Sequence, residues 1–153
     1  MSTCIGFRIF VSYIGFNFSL KGAVVLAAYG IEFMQDEIIE VVERQFVAYN
    51  LKDAEMWAST YAEDAVQQTV DGVVLAEGRA EIQKRILGRF QEPDLKASLL
   101  NRTVYDNVVI DHEKITRNFP EGLGSVEMLC IYTVEGGYIK RGIFKVFNQQ
   151  LTK

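Results

Sequence analysis

The chain holds one histidine, one tryptophan, two prolines and two cysteines in 153 residues, and each scarcity closes a class of function. Cys4 and Cys130 lie far apart, so neither a disulfide framework nor a cysteine-based zinc site is supported, and a reducing compartment, the cytoplasm, is the default location. A lone histidine leaves no His, Cys and carboxylate set at metal-ligand spacing, so no metal and no other cofactor is expected. Also missing are a glycine-rich phosphate loop and a G-x-S-x-G nucleophile elbow. Positive charge is scattered and outweighed, with a net of -4, which argues against a nucleic-acid partner, since phosphates demand a basic stripe. No uncharged run reaches the roughly 18 residues of a membrane span, because Arg8 and Lys21 interrupt the apolar N-terminal stretch.

What is present suits one globular domain, with 49% hydrophobic and 24% charged residues. The charge is distributed unevenly. Residues 1–33 carry only Arg8, Lys21 and Glu32, whereas the remaining 120 carry 14 basic and 19 acidic residues. Residues 1–33 are therefore expected to be an apolar N-terminal extension, either dispensable or signal-like. In the second case GAVVLAAYG after Lys21 forms the apolar core and the protein is exported. The working domain is expected to span residues 34–150.

Apolar spacing at Ile38, Ile39, Val42, Phe46 and Tyr49 predicts a helix over residues 35–50. Asp53 is placed to cap a second helix whose Met56, Trp57, Thr60 and Tyr61 share a face, ending near residues 63–64. Short strands at 66–70 and 73–75 flank an Asp71-Gly72 turn, and a third helix over 79–90 stops before Pro93. Strands at 97–105, 108–117, 126–134 and 138–147 follow. The expected class is α+β, a curved antiparallel sheet wrapped on three N-terminal helices.

The stretch NRTVYDNVVIDHEKIT reads as two strands about an Asp106-Asn107 turn, setting Tyr105 opposite Val108, Arg102 opposite Asp111 and Asn101 opposite His112. Alternation puts Ile110, His112 and Lys114 on one face and Val109, Asp111, Glu113 and Ile115 on the other. The expectation is that the His112 face lines a cavity, with Cys130 beside it, while Arg102, Asp111, Glu113 and Glu127 point outward. His112 is then the candidate proton donor or acceptor, its unperturbed pKa being about 6.5, with Asn101 fixing its tautomer. The competing reading is a hydrogen-bonded wall residue without chemistry.

Three segments, VVERQFVAYNLKDAEMWASTYAEDAV, GVVLAEGRAEIQKRI and NRTVYDNVVIDHEKIT, resemble the nuclear transport factor 2-like superfamily in its SnoaL-like, ketosteroid isomerase-like branch, over residues 36–147. The resemblance implies a cone-shaped, cystatin-like α+β barrel with an apolar cavity open at one end and frequent homodimerisation through the outer sheet face. Its enzymes include ketosteroid isomerases, polyketide cyclases, dehydratases and epoxide hydrolases, beside binding domains without chemistry. Ketosteroid isomerases use an aspartate base, a tyrosine and a protonated aspartate. The matching positions here hold Thr69, Gln45 and, for the last, a place near Cys130, so that chemistry does not carry over. What is expected is a pocket for a small apolar, carbonyl-containing ligand, lined by Tyr49, Trp57, Tyr61, Gln68, Thr69, Asn101 and Cys130, with His112 moving a proton. The alternative is a non-catalytic ligand-binding or dimerisation module.

Overall fold

A computed structural model describes residues 20–152; the part of the expected N-terminal extension over residues 1–19 lies outside them. Helix α1 runs unbroken over Leu20–Leu51, rather than starting near residue 35. Lys52 then takes a left-handed φ of 57°, and the Asp53 carboxylate accepts from the Met56 amide at 2.8 Å to start α2, Ala54–Ser59. The second helix is shorter than its apolar spacing predicts. The Thr60 hydroxyl donates back to the Trp57 carbonyl at 2.7 Å, and Tyr61 opens strand β1, Tyr61–Thr69. Long-range pairing decides this: the Ile139 amide donates to the Thr60 carbonyl at 2.8 Å, a contact that helix propensity cannot anticipate.

Next come β2 (Val74–Glu77), α3 (Arg79–Arg89), β3 (Lys96–Tyr105), β4 (Val108–Phe119), β5 (Gly122–Glu135) and β6 (Tyr138–Leu151). The last four form an antiparallel meander, and β1 joins it in parallel beside β6, giving one sheet ordered β2-β1-β6-β5-β4-β3. The architecture is the expected α+β one. Its first hairpin pairs as predicted, Arg102 with Asp111 and Asn101 with His112. Gly136 and Gly137 take φ of 57° and 78° to turn β5 into β6. Gly142 is glycine for another reason, since a Cβ there would lie 2.8 Å from the Phe144 ring that folds over it. Among the described residues no helix is long and apolar enough to cross a membrane.

The core lies between the helices and the inner face of the sheet, where Val42, Trp57, Ile82, Val109, Ile115, Tyr132 and Ile139 are buried. Which face of β4 is inner reverses the expectation. Asp111 and Glu113, at 0% and 4% exposure, point inward with Val109 and Ile115. Strand β5 settles the parity, because Val126, Cys130, Tyr132 and Val134 are all buried and Cys130 sits opposite Asp111, Met128 opposite Glu113. A carboxylate is tolerated there because Arg102 grips Asp111 through two hydrogen bonds of 2.7 Å. The outer face carries a half-buried row, Ile110, Ile131 and Ile143, in register across three strands.

Candidate active site

Between the inner sheet face and the helices lies a cavity of about 370 Å³. Helical repeats aim Gln45, Phe46 and Tyr49 from α1, and Arg85, Ile86 and Arg89 from α3, toward it. Alternation on the strands does the same for Gln67 and Thr69 of β1, Glu113, Ile115 and Arg117 of β4, Val126, Met128 and Tyr132 of β5, and Phe144 of β6. Trp57 of α2 closes one wall, its ring 4.8 Å from that of Tyr61 and 6.4 Å from that of Phe90.

Glu113 is the chemically distinctive group. Burial pushes its carboxyl up to about 7, with the neighbouring Asp111 charge adding to the rise and the Cys130 thiol and Arg102 drawing it back. A carboxyl that changes protonation near neutrality inside a cavity is suited to acid-base work. Burial also raises Tyr49, Cys130 and Tyr132 well above their usual ranges, so these stay neutral and the thiol is no nucleophile. Asp111 is held from outside the cavity by Arg102, which also donates to Glu43 of α1 at 2.7 Å. The charge pressing on Glu113 is thereby fixed in place.

Two hydrogen-bond donors on the cavity wall are left over. The Trp57 Nε1 and Gln67 Nε2 groups are buried without a well-formed hydrogen bond among the described residues, Gln67 lying against the Tyr61 hydroxyl, whose raised pKa it draws back; native interiors fill such places with water, an ion or a ligand. Gln67 is oriented by Arg85, whose Nη1 donates to its Oε1 at 3.1 Å. A guanidinium only donates, so the amide oxygen must face it and the amide nitrogen is the free end. Gln45 donates to the Tyr61 hydroxyl at 3.4 Å, and Glu92 accepts from both Arg89 and Arg117.

The residues expected from sequence divide cleanly. Tyr49, Trp57 and Thr69 line the cavity. His112 does not: it lies on the outer face, 35% exposed, with Nε2 2.6 Å from Glu127 and its ring stacked on Phe147 at 5.7 Å. Asn101 is exposed and donates to the Thr103 hydroxyl at 3.1 Å rather than orienting a histidine. Gln68 stands beside Ile143 on the outer face, where alternation from inward Gln67 must put it. Cys130 and Tyr61 are inward but fully buried behind the lining. The reversed parity of β4 thus moves His112 and Asn101 outside, and it brings in Glu113, which the sequence pattern alone places on the outer surface. Arg85 and Glu113 are the polar groups that sequence reasoning missed as cavity residues. The alternation of apolar residues along β5, registered against β4, was the signal for Glu113.

The profile of the SnoaL-like domain matches residues 42–142. No curated protein matches this chain. Among solved structures, an uncharacterised cystatin-fold protein from Novosphingobium aromaticivorans is similar at TM-score 0.66 and 22% identity, over 71% of this chain and 97% of that one. A protein from Jannaschia sp. CCS1 assigned as a SnoaL-like polyketide cyclase follows at TM-score 0.64 and 17% identity, over 72% and 85%. One from Kribbella flavida assigned as a ketosteroid isomerase gives 0.64 and 13%, over 77% and 83%. At these identities the structural likeness carries the fold alone, whereas the profile spans most of the domain just described: the chain belongs to the SnoaL-like domain family.

Proposed function

We propose that this protein is an enzyme that moves a proton at the carbon beside a carbonyl group, with Glu113 as acid and base. In the first step the C–H electron pair shifts toward the carbonyl, the proton passes to Glu113, and the enolate oxygen takes hydrogen bonds from Trp57 Nε1 and Gln67 Nε2. Reprotonation at another carbon gives an isomerase; attack of the enolate on a second carbonyl gives a cyclase. The observation that carries the reading is a carboxyl raised to about 7 on the wall of a cavity that also presents two unpartnered donors. Apolar walls from Phe46, Ile86, Met128 and Phe144 exclude water and strengthen both interactions. Relatives assigned as a polyketide cyclase and an isomerase fit the same chemistry. His112, outside the cavity, has no part in it.

The test uses an enolisable bicyclic ketone, 2-tetralone, and follows exchange of its α-protons in deuterated buffer by NMR. Wild-type protein is expected to accelerate exchange, with a rate that rises as pH passes about 7. Glu113→Gln is expected to lower the protein-dependent rate by about 100-fold, and His112→Gln to leave it within about twofold. Full rate in Glu113→Gln would remove the base from this account. No acceleration by wild-type protein would favour a binding module without chemistry.

A further inference from the structure

Building on that reading of the cavity, we infer that its natural ligand is an oxo acid: an otherwise apolar molecule whose carboxylate is held by Arg85, a few bonds from the carbonyl that Gln67 and Trp57 receive. The chain as a whole is acidic, with a net of -4, yet four of the six charged residues lining the cavity are cations, Arg85, Arg89, Arg117 and Lys145 against Asp71 and Glu113. Arg89 and Arg117 are both answered by Glu92. Arg85 and Lys145 are not answered among the described residues. Arg85 meets no carboxylate there, and its one side-chain hydrogen bond goes to the neutral Gln67 amide at 3.1 Å.

Most of the five guanidinium N–H groups therefore have no protein partner among the described residues and face solvent or the cavity mouth, where a ligand can take them. Arg85 is exposed at the mouth of the cavity rather than sealed in it; partial desolvation and the like charge of Arg89 both act against its cation, and an incoming anion offsets that repulsion. A carboxylate fits better than a phosphate, because one planar fork matches two oxygens and a single charge, and no glycine-rich loop is there to take more. Gln67 joins the two recognition points: its oxygen accepts from Arg85, and its nitrogen, buried against the Tyr61 hydroxyl without a well-formed hydrogen bond, is the donor left for the carbonyl. The acid and the carbonyl are thus read on either side of one amide. Glu113, neutral for part of the time near pH 7, does not repel such a ligand as a fully ionised carboxylate would.

The test compares 3-benzoylpropionate with its neutral counterpart 3-benzoylpropionamide, which keeps the aromatic body and the ketone and removes only the charge. Calorimetry at pH 7.5 is expected to show the acid binding wild-type protein at least about tenfold more tightly than the amide. Arg85→Met is expected to erase that preference by weakening the acid alone, and Arg85→Lys, which keeps the charge without the fork, to restore part of it. Equal affinities in wild type, or an undiminished preference in Arg85→Met, overturn the inference. If preference is absent while Glu113-dependent exchange of 2-tetralone persists, the oxo-acid assignment fails and the proton-transfer reading stands. Millimolar concentrations of both probes without binding, together with no exchange, overturn both.

Discussion

Glu113→Gln is expected to unfold at the same denaturant concentration as wild-type protein at pH 4, and to be the more stable of the two at pH 8. The Glu113 carboxyl rises from an ordinary 4.5 to about 7 on folding. A carboxyl raised in this direction contributes its full stability below the unfolded value and loses it as pH climbs through the folded one, because the native state then holds an ionised group it cannot solvate. The whole loss corresponds to about 3 kcal/mol. At 4% exposure, solvent does little to screen it. Glutamine keeps the shape and never ionises, so the difference between the two proteins should open across the interval between those values. Urea unfolding at both pH values measures it. Parallel pH dependences in the two proteins would mean that Glu113 titrates like a surface carboxyl. Instability placed at one buried acid, and removed together with activity, is what a functional rather than an architectural residue produces.

Arg102→Met is expected to destabilise the protein by about 3 to 5 kcal/mol. Arg102 donates to both Asp111 oxygens and to Glu43, and Asp111 is completely buried. Without the guanidinium, a carboxylate is left in the core with its partner gone. Adding Asp111→Leu to Arg102→Met should recover most of the loss, since an apolar pair replaces an ionic one at little net cost. Both effects are read by chemical denaturation. A loss as small as that of an exposed pair, under about 1 kcal/mol, would show that water reaches Asp111. The same arginine has a functional consequence. It fixes the charge that helps lift Glu113, so Arg102→Lys, which gives up the two-point grip, should also shift the pH at which proton exchange sets in.

Much of the fold was legible because local signals and pairing agreed. The Asp106-Asn107 turn gave the β3-β4 register, and the Asp53 cap marked the entry to α2. What failed were the places where distant contacts decide. The second helix ends early because Thr60 and Tyr61 join β6, some 80 residues onward, and no window of sequence contains that partner. The site failed through parity. On β4, Ile110, His112 and Lys114 offer as plausible an inner face as Val109, Asp111, Glu113 and Ile115, and charge argued for sending the acids outward. Burial of Asp111 is permitted only by Arg102 on the neighbouring strand. That pair is visible in the sequence, where it looks like a surface bridge. Once the face is reversed, the lone histidine leaves the cavity and Glu113, expected on the outer face, enters it. Arg85 was invisible for a simpler reason: on an exposed helix, the one charge without a carboxylate partner looks like the rest.

Proton transfer in this cavity turns on Glu113. Its side-chain carboxyl carbon, labelled with carbon-13 and assigned by its absence from the spectrum of Glu113→Gln, can be followed by NMR from pH 4 to pH 9. A midpoint near 7, moving when 3-benzoylpropionate binds, is the predicted result. A midpoint near the ordinary glutamate value of about 4.5 would contradict it, leaving the cavity without a group able to carry a proton at neutral pH.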